Sequence, residues 1–221
     1  MLNPVGHSRL EAVVDIVCLD LEGVLIPEIW QAVAREVNED RLQKTTRDIP
    51  VYDDLMQYRL GIIAEIGLSL TTIQKVISEL DLLPGAGQFL DQLRGEYQVA
   101  ILSDTFYEFG MPFMAKMGFP FLLCHKLVIT NDIITGYSLR QPDPKRASVK
   151  AFHSLKYNVT AAGDSYNDVA MLEEADRGFF FCAPDNVIKQ FPQYPVTTSY
   201  DELLAHIRAG KSPRSNRVGI G

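Results

Sequence analysis

Three short apolar runs in this chain each end on an acidic or hydroxyl residue, and that repetition constrains the fold more than any other feature. Residues 13–19 (Val-Val-Asp-Ile-Val-Cys-Leu) run into Asp20, with Glu22 and Gly23 just beyond. Residues 98–102 end in Ser103-Asp104, and 159–162 end in Gly163-Asp164, with Asp168 four residues on. A fourth run spans 178–183. Short, mostly apolar, β-branched runs fit strands buried on both faces. Helical stretches separate them, so the pattern is βα repeated. It predicts an α/β fold, a doubly wound parallel sheet with helices on both faces.

Two segments interrupt the repeat. Residues 27–83 carry helical patterns at 28–37, 54–65 and 71–80, the last with Thr71 or Ser69 near its N-cap. They predict a helical cap inserted into a core made of 1–26 and 84–210. Such a piece would be marginal alone and should lean on the core. Residues 127–139, apolar around Asn131-Asp132, predict a β-hairpin at the sheet edge. The tail 211–221 is rich in Gly, Ser and basic residues and is expected to be loose.

The chain has 221 residues, 47% of them hydrophobic and 22% charged, with a net charge of −7. That balance predicts a globular protein and disfavours nucleic acid, whose phosphates need a basic surface. A small phosphorylated substrate stays compatible, because one bound divalent cation reverses the local field. No apolar run approaches the ~18 residues of a membrane span, and the first residues lack a signal-peptide pattern. Cys18, Cys124 and Cys182 are too scattered for a disulfide framework or a zinc site. Cys18 and Cys182 lie in apolar runs and are expected to be buried thiols, with the cytoplasm as the default location. The oligomeric state is left open, a homodimer included.

Ligands of open parallel sheets bind at the carboxyl ends of the strands. Asp20, Glu22, Ser103, Asp104, Asp164 and Asp168 would therefore share one edge. So many carboxylates together raise one another's pKa unless a cation joins them. Oxygen donors without a His or Cys pair favour Mg²⁺ over zinc, and Mg²⁺ suits phosphoryl transfer. Lys145 opens the helix before the third strand and can reach that edge. A solvated lysine is the competing reading, as a helix or loop cap is for Asp20 and a turn residue for Ser103.

Asp20-Leu-Glu-Gly-Val, Leu102-Ser-Asp, Lys145 and Gly163-Asp-Ser-Tyr-Asn-Asp resemble, in order, the four motifs of haloacid-dehalogenase-type phosphatases. The resemblance implies their Rossmann-like core and their roles. Asp20 would be the nucleophile, residue 22 the general acid and base, Ser103 a phosphoryl ligand, and Lys145 a charge neutraliser. Asp20, the backbone carbonyl of Glu22, Asp164 and the supporting Asp168 would hold Mg²⁺. Within that superfamily the chain is similar to phosphoserine phosphatases, which place a helical cap after the first motif. Glu28 and Arg59 match the cap residues that meet the substrate's ammonium and carboxylate, and Asn167 matches a substrate contact. Glu28 could equally complement a helix dipole, and Arg59 could form a surface ion pair.

Asp-Leu-Glu-Gly-Val-Leu, Thr-Thr-Arg-Asp-Ile-Pro and Leu-Ser-Asp-Thr-Phe-Tyr-Glu-Phe resemble a bifunctional subgroup that also transfers phosphate from phosphoserine to homoserine. Two residues depart from the usual phosphatase pattern: Glu22 stands where most members have Asp, and Asp104 where phosphoserine phosphatases usually have Gly. The rival readings are a phosphatase for another small phosphorylated metabolite and a non-catalytic metabolite-binding protein on the same fold. Phe106, Tyr107 and Phe109 are expected to pack, and His125 has no assigned role.

Overall fold

The structure is a computed structural model that describes residues 13–45, 48–49 and 51–211. The readings placed on 1–12, on 212–221, and on Thr46, Arg47 and Pro50 lie outside the described residues.

The first strand, β1 (Val14–Leu19), is flanked by β2 (Gln98–Phe106) and β5 (Tyr157–Gly163), both parallel to it. β3 (Phe121–Thr130) extends the sheet beside β2, and β6 (Arg177–Phe181) and β7 (Val196–Thr197) extend it beside β5. β4 (Ile133–Ser138) closes one edge as the antiparallel member. The order is β4-β3-β2-β1-β5-β6-β7. The chain thus winds one way from β1 and then the other, which puts the strand-order switch at the end of β1.

Period-2 alternation along β1 divides the core between two faces. Val17 and Leu19 join one buried cluster, with Ile101, Phe179 and Phe181. Ile16 and Cys18 join the other, with Leu102, Val159 and Phe180. The first face is covered by α4 (Ala86–Arg94), α5 (Tyr107–Met114) and α9 (Tyr200–Ala209). The second is covered by α6 (Pro144–Ser154), α7 (Val169–Glu174) and α8 (Asp185–Gln190).

Between β1 and α4 the described chain forms α1 (Ile29–Glu36), α2 (Tyr52–Ile66) and α3 (Leu70–Glu79). The apolar faces of α1 and α3, Ile29, Trp30, Val33, Ile73, Val76 and Ile77, join the same cluster as α4 and α5. Gly67 at φ 63° ends α2 in the left-handed conformation that glycine tolerates. Ser69 is the N-cap of α3 and accepts from the Thr72 N–H, which decides between the two residues the sequence allowed.

The hairpin is longer than the sequence suggested. β3 begins at Phe121 as a parallel neighbour of β2 and only later pairs with β4. Its tip reaches the helices between β1 and β2. The Asp132 carbonyl accepts from Leu70 N–H at 2.6 Å, and its carboxylate accepts from Thr71 N–H at 3.1 Å and the Thr71 hydroxyl at 3.0 Å. A residue more than sixty positions away thus helps cap α3. One expectation fails: Cys182 is exposed, not buried. It is the first residue past β6, and at φ 49° its side chain is left exposed although its N–H still donates to the Thr197 carbonyl of β7 at 2.9 Å. Among the described residues no helix is long and apolar enough to cross a membrane.

Removing the borrowed cap should loosen α3 from the hairpin. Asp132→Ala is predicted to lower stability by about 1 kcal/mol, the usual worth of an N-capping carboxylate. Urea unfolding measures it, and an unchanged midpoint contradicts the capping role.

Candidate active site

Asp20 follows β1, and its backbone N–H donates to the Ala162 carbonyl on β5 at 3.0 Å, so the nucleophile candidate is stitched between two central strands. The chain then turns sharply. Leu25 and Ile26 N–H groups donate back to the Leu21 carbonyl, and Leu21, Val24, Leu25 and Ile26 are fully buried. Gly23 makes that turn at φ 78°, and a Cβ there would lie 2.5 Å from Asp164 Oδ2. Only glycine lets the loop pass so close to a carboxylate.

Lys145 stands in the first turn of α6, just after Pro144, a residue suited to that position. It is buried, not solvated. Its Nζ lies 2.9 Å from Asp20 Oδ1, 2.6 Å from Asp168 Oδ1 and 3.4 Å from Asp104 Oδ2. Burial works against its charge, but Asp104, Asp168 and Asp20 outweigh it and hold the ammonium well above the ordinary lysine pKa.

Asp168 is fully buried and accepts backbone N–H groups of Asp164 and Ser165 at 2.9 and 3.0 Å. It thus fixes the loop that carries Asp164. Burial, then the Asp168 charge, raises the Asp20 pKa well above the carboxylate range despite Lys145. The same two causes push Asp164 up to about 7. One ammonium does not balance these acids. Oxygen atoms of Asp20, Asp164 and Asp168 lie within 4.8 Å of one another, so the three can converge on one ion. An oxygen-only set short of positive charge fits a hard divalent cation such as Mg²⁺.

β2 delivers the next group. Ser103 is buried, and its hydroxyl accepts from Thr105 N–H at 3.2 Å. Asp104 accepts from Asn167 Nδ2 at 2.7 Å. Burial opposes its charge, but Lys145 leads the groups that hold its carboxyl below the usual range. Ser165 engages the other end of the Asn167 amide. His125, unassigned by sequence, is buried beneath this strand end. Its Nδ1 accepts from Arg140 N–H at 3.1 Å, and its Nε2 faces Asp104 Oδ1 at 3.7 Å, too far for a direct hydrogen bond.

The helices after β1 form the opposite wall. A cleft of about 190 Å³ is lined by Asp20, Glu22, Ser103, Asp104, Asp164 and Asn167, and across from them by Glu28, Trp30, Tyr52 and Arg59. Glu22 accepts from Ile29 N–H, at the start of α1, at 2.9 Å, and Thr105 also hydrogen-bonds its side chain. Burial, then the Glu28 charge, pushes its carboxyl up to about 7. Tyr52 donates to the Asp104 carbonyl at 3.1 Å and so ties α2 to the end of β2.

Arg59 is buried, not a surface ion-pair member. Its Nη2 donates to the Lys44 carbonyl at 2.7 Å, and its guanidinium lies over the Trp30 ring, 4.7 Å from the centroid. Burial lowers its pKa to about 10, while Glu22, Tyr52 and Glu28 favour the charge. Every site candidate except Lys145 and Asp168 lines the cleft, and those two lie just beneath Asp20. Trp30, Tyr52, Thr105 and His125 were missed. Trp30, Thr105 and His125 sit beside apolar residues and Tyr52 at a helix start before Asp53-Asp54, where a packing or surface role reads the same as a site role.

A family model of haloacid dehalogenase-like hydrolases matches residues 14–176. The chain is 57% identical over 204 residues to "Phosphoserine phosphatase" of Pseudomonas syringae pv. tomato, covering 92% of this chain and 84% of that one. It is 59% identical over 190 residues to "Phosphoserine phosphatase ThrH" of Pseudomonas aeruginosa, covering 86% and 93%. Among solved structures, a substrate-bound phosphoserine phosphatase complex aligns with a TM-score of 0.75 at 18% identity, over 89% of this chain and 99% of that one. A phospho-aspartyl intermediate analogue of phosphoserine phosphatase aligns at 0.74, also at 18% identity, over 88% and 99%. At that identity the structures speak for the fold, while the two Pseudomonas relatives and the family match speak for descent. The chain belongs to the haloacid-dehalogenase-like hydrolases and, within them, to the family of its phosphoserine phosphatase relatives.

Proposed function

We propose that this chain is a Mg²⁺-dependent phosphoserine phosphatase that works through an aspartyl-phosphate on Asp20 and also passes the phosphoryl group to homoserine. One observation carries the reading. A single cleft joins a phosphoryl end, Asp20 and Ser103 with Lys145 beneath, to an amino-acid end, Glu28 and Arg59. The names of the two Pseudomonas relatives agree with its phosphoserine phosphatase part.

Arg59 grips the substrate carboxylate, a planar group that a guanidinium meets bidentately, and Glu28 faces the ammonium. Ser103 and Lys145 receive the phosphoryl oxygens, and Asn167 contacts the substrate beside Asp104. An Asp20 oxygen forms the new bond to phosphorus as the bond to the serine oxygen breaks, and Glu22 gives that oxygen a proton. Glu22 then takes a proton from the water that attacks the aspartyl-phosphate, and inorganic phosphate leaves. Asp20, Asp164, Asp168 and the backbone carbonyl of Glu22 would hold Mg²⁺, which when bound neutralises charge on the phosphoryl oxygens. Residues 27–83 act as a cap over a core of 1–26 and 84–210, excluding water from the first step and admitting it for the second. We assign the enzyme to the cytoplasm, where the three free thiols stay reduced.

The position of Glu22 supports homoserine transfer. Its extra methylene lets the carboxylate bond the first N–H of α1, on the cap side of the cleft. A base fixed there serves an alcohol lodged in the amino-acid end better than a loosely held water.

Asp20→Asn should lose turnover by roughly 10³-fold or more, as for other unit-acting nucleophiles. Phosphate release from phosphoserine with Mg²⁺ measures it, and near-normal activity ends this reading. Arg59→Ala should lower kcat/KM for phosphoserine, relative to p-nitrophenyl phosphate, on the order of 10²-fold through loss of two charge-assisted hydrogen bonds. An unchanged ratio would point to another phosphorylated metabolite. Glu22→Asp should shift the partition of phosphate between water and homoserine towards water. A partition identical to that of the parent enzyme rejects the link between Glu22 and transfer.

A further inference from the structure

An arginine that meets a planar carboxylate edge-on works best when its own plane is fixed before the substrate arrives. The hydrogen bond from Arg59 Nη2 to the Lys44 carbonyl fixes one point of the guanidinium, not its plane. The second constraint is Trp30, whose ring centroid lies 4.7 Å from the guanidinium carbon. Both side chains are only 7% exposed, and both line the cleft.

Trp30 is itself held. Phe109 on α5 meets it edge-on, with centroids 5.3 Å apart and ring planes at 72°. Phe109 in turn meets Phe106 at 5.7 Å and 89°. Phe106 is the last residue of β2, three positions past Ser103, and it also lines the cleft. An aromatic ladder therefore runs from the strand end beside the phosphoryl site to the arginine at the other end. Each rung has the edge-to-face geometry that aromatic pairs prefer. Arg59 Nε is buried without a hydrogen-bond partner among the described residues. A buried donor of that kind is costly unless something arrives to accept from it.

We infer that Trp30 is a positioning residue for substrate selection. Seated on Phe109, it sets the plane of the Arg59 guanidinium that meets the substrate carboxylate. It thereby favours phosphorylated amino acids over phosphate esters that lack a carboxylate. This inference rests on the reading of Arg59 as the carboxylate ligand. If Trp30 were only core packing, its loss would weaken turnover of every phosphate ester alike.

The test compares kcat/KM for phosphoserine with that for p-nitrophenyl phosphate in the full chain with Mg²⁺. Trp30→Leu, Trp30→Phe and Arg59→Ala are measured side by side. Trp30→Leu should lower the phosphoserine preference about 10-fold, the scale of a desolvated cation–π contact. Trp30→Phe, which keeps an aromatic face, should recover most of it. A preference unchanged in Trp30→Leu, while Arg59→Ala reduces it, overturns the inference and leaves the Arg59 reading standing. A preference unchanged in Arg59→Ala overturns both.

The chain holds a single tryptophan, so its fluorescence reports this contact without altering it. In Asp20→Asn protein with Mg²⁺, phosphoserine should change the emission, and inorganic phosphate should not. Adding Arg59→Ala should abolish the response. Emission indifferent to phosphoserine overturns the inference even if Trp30→Leu fails to fold.

Discussion

A buried ammonium among three carboxylates sets the terms for the rest of the molecule. Lys145 comes from α6, and its partners come from three places: Asp20 after β1, Asp104 within β2, and Asp168 after β5. These groups meet only because β1 lies between β2 and β5 in a parallel sheet, so that the carboxyl ends of all three strands lie at the same edge. Buried charges are expensive unless paired, and the pairing here is incomplete, since Asp164 joins the acids without adding a cation. That imbalance is the strongest physical reason to expect a metal. It also explains why the loop after Asp20 must be so tight: Gly23 has to pass Asp164 at a distance no side chain would allow.

The second wall of the site depends on contacts across the cleft. Glu22 reaches the first N–H of α1, Tyr52 on α2 reaches the carbonyl of Asp104, and Asp132 at the hairpin tip caps α3. Each of α1, α2 and α3 thus has its own tie to the sheet side. Through two of those ties, groups beside the phosphoryl site hold the helices that carry Arg59 and Glu28.

The strand ends were legible because burial on both faces leaves little freedom in such a strand, and a carboxylate directly after it stands out. Asp20, Asp104 and Asp164 could be found that way, and the resemblance supplied Lys145, Glu28 and Arg59 with candidate roles. What a sequence cannot carry is the far partner. Nothing near Lys44 marks its carbonyl as a seat for Arg59. Nothing in the stretch Ile-Trp-Gln distinguishes a ring that holds a guanidinium from one that fills a core. His125 lies in an apolar strand, where a buried imidazole gives no periodic signal. Cys182 misled for the opposite reason: its neighbours are apolar, but it stands one residue past β6 in a left-handed conformation that leaves its side chain exposed. β7, two residues long, is too short for any pattern.

The central claim is covalent: phosphate rests on Asp20 between the two half-reactions. Enzyme mixed with phosphoserine and Mg²⁺, quenched in acid within milliseconds and digested at low pH, can be mapped by mass spectrometry for an added phosphoryl group. The account predicts the label on the peptide that contains Asp20, and its loss when homoserine or time for hydrolysis is allowed before the quench. A label on any other residue, or active enzyme that never acquires one, would contradict it.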